Sequence, residues 1–367
     1  MRRPEFSNDR ESALSFLARA EVVRLATTTP LGEPVLRTLN AVVDGDYLLF
    51  HGAKAGEKAL CIGRSAVAAA DQVIASIPSY FVDPERACPA TTFYESVQVH
   101  GLIERIDDAE RKARMLSLLM EKYQAEGGYR AIEARSALYE GAVRGVLVFG
   151  ISLANVAGKL KVGQKRTQVE LANIVEGLWS RGGPTDARAI QRIFEGNPAF
   201  VRPARFLAPG GVILEPALER SSCEAAVALV ADEYWNRGYE RERLRRAHLA
   251  SSAWVGARNQ QGELVATARA LGDGAKQALI ADVAVRRDFR GRGVGQALVR
   301  LLLEHPAVRG AHLVRLGTAD AQEFYRALGF VEHSRLNLGF ASTPMTLVRD
   351  NAEAAPLTNR ASSAEPP

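Results

Sequence analysis

Residues 282–305, DVAVRRDFRGRGVGQALVRLLLEH, run from an apolar strand through a knot of glycine and arginine into an apolar helix. Glycine lets a backbone come close to a ligand. The first N–H groups of a helix have no internal partner and point outward at the positive end of the helix dipole. The stretch Arg290-Gly291-Arg292-Gly293-Val294-Gly295 is therefore expected to hold an anion. Its spacing excludes two common phosphate loops. A P-loop needs Lys-Ser/Thr after its second glycine, and a G-x-G-x-x-G dinucleotide fingerprint would need glycine where Gln296 or Leu298 stands. A glycine-rich loop holding nothing is the plain alternative.

The rest of the chain sets the frame. Its 367 residues exceed one ordinary core, so two domains are expected. Composition is that of a soluble globular protein, with 47% hydrophobic and 24% charged residues, and no apolar run approaches the ~20 residues of a membrane span. The start, residues 1–20, reads as a capped amphipathic helix rather than a targeting peptide. Only Cys61, Cys88 and Cys223 occur, far apart and without metal-type spacing; no metal site is expected, and a reduced, cytoplasmic protein is the simple reading. The net charge of +5 is scattered arginine without interleaved aromatics, so neither a nucleic acid nor a membrane is an expected partner.

From about Glu21 to Ile106 the pattern is of short strands: EVVRLATTT and PVLRTLNAVV around the turn PLGE, then YLLFHG, SAVAAADQVIA and YESVQVHGLIERI. DDAERKARMLSLLMEKYQAE follows at helical spacing, and RGVLVFGISLANVAG returns to strand. Many short strands with few helices predict a small closed or split barrel, because closure removes exposed edges. Residues 167–209 are expected to be a helical linker, ending in the Pro/Gly-rich stretch GNPAFVRPARFLAPGG. Beyond it, SSCEAAVALVADEYWNRG and ERERLRRAHLA read as helices and SAWVGARN, GELVATARAL and QALIADVAV as strands. The motif helix, the strand HLVRLGT, the helix AQEFYRALG and a last strand complete an α/β unit. The tail 350–367 has nothing to bury and is expected to be disordered.

The ordered set GELVATARAL, LIADVAVRRDFRGRGVGQAL and AQEFYRALGF resembles the GNAT N-acetyltransferases over residues 210–349. The resemblance implies acetyl-CoA as donor. Val283, Ala284 and Val285 would meet the pantetheine arm, and Arg290, Gly291, Arg292, Gly293, Val294, Gly295 and Gln296 the pyrophosphate. Thr318 stands where that family often has Asn and would bond the CoA arm. Tyr325 matches the tyrosine that protonates the departing thiolate; its plain alternative is a half-buried packing aromatic. Asp282 would help deprotonate the acceptor amine through water, or serve the structure alone. The acceptor would be a small-molecule or protein amine, and no cysteine falls where an acyl-cysteine would need one.

The first half, residues 1–166, resembles the flavin-binding split barrels: the pyridoxamine 5'-phosphate oxidases, the nitroimidazole-resistance (Nim) proteins and, through Lys161, Gln164 and Arg166, the PaiB-type regulators. That resemblance implies FMN, with Arg37 and Lys58 at its phosphate, Thr38, Leu39 and Asn40 along its ring, and His51, Gly52 and Ser96 completing the pocket. It also implies a homodimer. Each of these residues has an ordinary surface or strand reading as well. One departure stands out: the oxidases carry an arginine just before the lysine, and this chain has Glu57. The expected protein is an acetyl-CoA-dependent N-acetyltransferase fused to an FMN-binding barrel with flavin-reductase or nitroreductase chemistry. The alternative is a flavin-sensing transcriptional regulator carrying an acetyltransferase module.

Overall fold

The computed structural model describes residues 4–335. The last strand expected after residue 330 and the tail from Asp350 lie outside them. The described residues divide into two compact units, one of residues 4–167 with 196–198 and one of 168–195 with 199–335. The first is a two-sheet β-barrel with a few helices; the second is an α/β layer structure.

In the first unit, β1 (Ser7–Asn8), α1 (Arg10–Arg19), β2 (Val23–Thr28), β3 (Pro34–Leu39), β4 (Ala41–Asp44), β5 (Tyr47–Ala53), α2 (Glu57–Leu60), β6 (Ser65–Ile77), β7 (Thr91–Leu102), β8 (Glu104–Ile106), α3 (Ala109–Tyr123), α4 (Glu140–Gly145), β9 (Val146–Ser152) and β10 (Val156–Lys161) follow in order. One sheet runs β1-β10-β7-β6-β2-β3 and the other β4-β5-β9-β8. The chain changes sheet across single residues, Asn40 between β3 and β4 and Ile103 between β7 and β8, which is how a short barrel turns its corners. Alternation drives the layering: every second residue of Val23–Thr28 is buried, and of these Val23 and Leu25 join Phe50 and Phe149, stacked 5.5 Å apart, in the core.

In the second unit come α5 (Gln168–Arg181), α6 (Asp186–Gly196), β11 (Leu207–Ala208), β12 (Val212–Glu215), α7 (Cys223–Val230), α8 (Arg241–Leu249), β13 (Ala253–Arg258), β14 (Leu264–Gly272), β15 (Gln277–Val285), α9 (Val294–Glu304), β16 (Leu313–Arg315) and α10 (Gln322–Arg326). The sheet order follows the chain, β11 to β16, antiparallel except for the β15–β16 pair. Helix α9 packs on β13–β15 and α7 on β14 and β15. The stretch 221–238, read from sequence as one helix, is helical only to Val230. There the side-chain amide of Asn236 donates to the Val230 carbonyl at 3.0 Å, taking the acceptor that the next helical turn would have used.

Helices α5 and α6 occupy the segment expected as a linker, and both bury apolar faces: Leu171, Ile174, Val175, Leu178 and Trp179 on α5, Ile190, Ile193 and Phe194 on α6. Arg309 closes the end of α5 by donating to the carbonyls of Trp179 and Ser180, each at 2.7 Å. Among the described residues no helix is long and apolar enough to cross a membrane.

His305, which ends α9, sits edge-on to Trp179 with 6% of its surface exposed. Burial pushes its ring pKa down to about 4, against the pull of the Pro216 carbonyl and with the help of Arg309. Below pH 6.5 the unfolded chain takes up a proton that the folded ring refuses. The stability this neutral ring supports is therefore complete above pH 6.5 and is lost as pH falls toward 4, by roughly 3 kcal/mol. All three tryptophans (Trp179, Trp235 and Trp254) lie in the second unit, so their fluorescence reports its unfolding alone. Urea midpoints followed this way should drop steeply between pH 6.5 and 4, and His305→Gln should flatten that slope.

Candidate functional site

A cleft of about 770 Å³ opens in the second unit, bounded by the end of β15, the glycine loop, the 233–239 turn and the 316–325 segment. Its floor is an irregular strand. Thr267 pairs with Ala284 but Arg269 pairs with Ala281, so Asp282 and Val283 together face the single residue Ala268. Asp282 is the one non-glycine residue with positive φ among those described, at 49°. This bulge takes the backbone of Asp282 and Val283 out of the ladder beside the cleft.

What holds Asp282 there is a buried ion pair. Arg269 Nε donates to Asp282 Oδ2 at 2.5 Å, while Trp235 Nε1 and Asn236 Nδ2 donate to Oδ1 at 3.1 and 3.0 Å. The two charged side chains are 4% and 13% exposed. Burial raises the carboxyl pKa, but the Arg269 charge and the donated hydrogen bonds outweigh it and leave the group below its ordinary value. A carboxylate with three donors has little basicity to offer a proton. Its evident work is to fix the bulge and to orient Trp235 at the mouth of the cleft.

The anion loop follows. Gly291 and Gly293 have φ of 72° and 81°, a region that side chains avoid, and a Cβ at Gly293 would lie 3.2 Å from the Pro209 ring. Gly295 lets α9 close on its neighbours: a Cβ there would meet Val285 at 3.3 Å and Phe324 at 3.6 Å. No side chain caps α9, and Gly293, Gly295 and Gln296 at its start line the cleft. Arg290 is committed within the protein. Its Nη2 donates to Glu233 at 2.7 Å and its Nε to the Val285 carbonyl at 2.8 Å. The cleft thus brings together Asp282, Val283, Ala284, Val285, Arg290, Gly291, Gly293, Gly295, Gln296, Thr318 and Tyr325. Val294 is instead buried in the core and Arg292 lies outside the lining.

Thr318 Oγ1 accepts the Ala321 N–H at 3.0 Å, capping the turn that leads to α10. Tyr325, half-buried against Phe324 and Phe330, lines the cleft. Burial first, then the neighbouring Tyr234 and Asp320, raise its pKa above the ordinary tyrosine value, so the hydroxyl stays protonated at neutral pH. Tyr234 accepts the Ala319 N–H at 2.8 Å and so joins the two walls. Sequence reasoning missed Arg269, Glu233, Trp235 and Asn236. The signal for Arg269 was present: an arginine inside the apolar strand LVATARALG, opposite the strand that carries Asp282.

The flavin candidates of the first unit gather less completely. Arg37 on β3 pairs with Glu57 of α2. Lys58, next in α2, lies over Gly52 of β5, where a Cβ would come 3.3 Å from its Nζ. Partial burial and the Lys58 charge lower the His51 pKa, leaving a neutral ring at pH 7. Arg37, Lys58, His51 and Gly52 therefore share one corner, and its excess positive charge fits a phosphate. Thr38 and Asn40 are exposed beside it and Leu39 is buried, 7% exposed. Ser96 does not join them: β6 and β2 lie between its strand and β3. Of the regulator-like run, Gln164 clamps its own loop through Leu160 O and Val162 N, and Lys161 and Arg166 donate to Thr91 and the Pro89 carbonyl. These contacts fasten a loop.

Residues 9–160 match the family model described as pyridoxamine 5'-phosphate oxidase, and residues 219–330 that of the acetyltransferase (GNAT) family. Serotonin N-acetyltransferase 2, chloroplastic, of Oryza sativa subsp. japonica is 35% identical over 121 residues, 31% of this chain; the match spans 60% of that protein's length. Among solved structures, the FAD and heme binding protein of Mycobacterium smegmatis is 20% identical, with 42% of this chain and 73% of that chain covered and a TM-score of 0.35. The flavocytochrome Anf3 of Azotobacter vinelandii is 16% identical, covering 42% and 69%, with a TM-score of 0.35.

Asp282→Asn should leave the Arg269 charge buried without its partner. The tryptophan-monitored stability of the second unit should fall by about 3 kcal/mol. Removing both charges in Asp282→Asn/Arg269→Met should cost less than the two single changes summed; additive costs would argue against the pair as the anchor of the bulge.

Proposed function

From a chain that joins a pyridoxamine 5'-phosphate oxidase-like domain to a GNAT domain, we propose an acetyl-CoA-dependent N-acetyltransferase whose first unit binds FMN. The observation that carries the transferase reading is the conjunction, in one cleft, of an uncapped helix start, a strand bulge and a protonated phenol. The amides of Gly293 to Gln296 would take the pyrophosphate. The backbone of Val283 and Val285 would bond the pantetheine amides and lay the thioester along β15 toward Tyr325.

The acceptor amine then attacks the thioester carbonyl. A C–N bond forms, the C–S bond breaks, and the CoA sulfur leaves with the electron pair. Tyr325 donates its proton to that sulfur, and the amine gives up its own to water; the raised phenol pKa keeps the acid charged with its proton between turnovers. Asp282 acts by position, as the anchor of strand and turn. Arg290, tied to Glu233, contributes less to the anion than the loop backbone does. An amine acceptor agrees with the similarity to the rice serotonin N-acetyltransferase.

FMN in the first unit would be held at its phosphate by Arg37 and Lys58, with Thr38, Leu39 and Asn40 along the ring edge; when bound it supplies one- or two-electron transfer. Ser96 stands too far from this corner to take part in the same chain, so a second copy would have to complete the pocket, in keeping with a homodimer. Three unpaired cysteines agree with a reducing, cytoplasmic setting.

Acetyl-CoA binding is read by calorimetry, and turnover by thiol release against tryptamine, spermidine and a lysine peptide. Tyr325→Phe should lower kcat about 100-fold with the acetyl-CoA Kd within about twofold. Unchanged kcat would remove Tyr325 from the reaction.

A further inference from the structure

The first unit places a carboxylate in the middle of its cation corner. Glu57 pairs with Arg37, whose other contact is the carbonyl of its neighbour Leu36 at 2.7 Å. Lys58 follows Glu57 directly and leans over Gly52. Arg64 belongs to the same neighbourhood: the Cys61 thiol feels Glu57 on one side of the balance and Arg37 and Arg64 on the other. Glu57 thus contacts one of these cations directly, Arg37, with Lys58 beside it in the chain and Arg64 near the shared neighbour Cys61. Both partners of the Arg37–Glu57 pair are substantially exposed, 47% and 38%, so the contact is weak and readily exchanged.

An exposed arginine held by a single carboxylate is in the state it would have with a phosphate, but with an internal anion. Any incoming phosphate must displace Glu57 or sit beside it, and either lowers affinity. We propose that Glu57 is a built-in competitor for Arg37 and sets a weak, phosphate-dependent affinity for FMN; this rests on the flavin reading above. The corner is thereby poised to exchange its phosphate ligand rather than to keep it through purification. A ring lying along Thr38, Leu39 and Asn40 and meeting neither charged side chain would contribute the same binding with or without Glu57.

The test uses the full-length protein in phosphate-free buffer, titrated with FMN and, separately, with riboflavin, which has the same ring and no phosphate. Flavin fluorescence is the readout. Glu57→Gln should tighten FMN about tenfold, leave riboflavin within about twofold, and lose its gain when Arg37→Gln is added. Glu57 is half-exposed, and a thermal midpoint matching the parent shows that the variant is folded. An FMN affinity that is unchanged or weaker in Glu57→Gln overturns the proposal, the weaker case meaning that Glu57 holds Arg37 in place for its ligand. Equal tightening of riboflavin also overturns it, because the effect would then lie at the ring. If parent and variant both fail to bind either flavin, the flavin reading falls and takes this proposal with it. Binding to the parent with no response to Glu57→Gln sinks the proposal alone.

Discussion

Arg269 and Asp282 lie on adjacent strands, almost entirely out of water, at the place where the strand pairing slips by one residue. An unpaired charge at that depth would be severely destabilising, so the pair must form wherever the fold forms. Once formed, it holds Asp282 in a backbone conformation that few residues adopt and lends one oxygen to Trp235 and Asn236. Strand, bulge and turn are thereby set together. The cleft exists because β15 leaves its ladder here, and its mouth has a defined wall because the same carboxylate grips the turn opposite.

The anion loop is built on a different principle, that of leaving groups unsatisfied. Gly291 and Gly293 carry the chain through left-handed conformations and α9 starts without a capping side chain. The donors that a serine or aspartate would have consumed are free for a ligand. Two arginines at the loop and just before it are spent elsewhere: Arg290 on Glu233, Arg286 on Asp288 and Glu263. Backbone amides, which neither titrate nor swing away, remain as the constant part of the site.

Much of this was legible in the residues. The strand-loop-helix order around Gly291–Gly295 is local, and local order is what periodicity and glycine placement report. The two-sheet barrel was legible as a class because its strands alternate cleanly, as Val23–Thr28 does. What could not be read depended on distant pairings. Helix α5 looked polar in sequence, yet its burial rests on Trp179 meeting His305 and Arg309, more than a hundred residues on. The end of α7 at Val230 depends on one side chain, that of Asn236. The role of Asp282 was ambiguous in sequence because its partner stands thirteen residues earlier in the neighbouring strand. Ser96 shares a motif order with Arg37 but not a place, since two strands separate them.

The first unit shows the reverse case, in which one departure from a familiar pattern, Glu57, becomes a contact with a visible partner. The acetyl transfer proposed for the second unit is the claim most exposed to test. Hydrogen exchange of the full-length protein with and without acetyl-CoA measures it directly, because the proposed contacts are backbone amides. Protection concentrated at the end of β15, the glycine loop and the first turn of α9, residues 282–296, is the result expected. Binding without protection there, or protection confined to another part of the chain, would contradict the account.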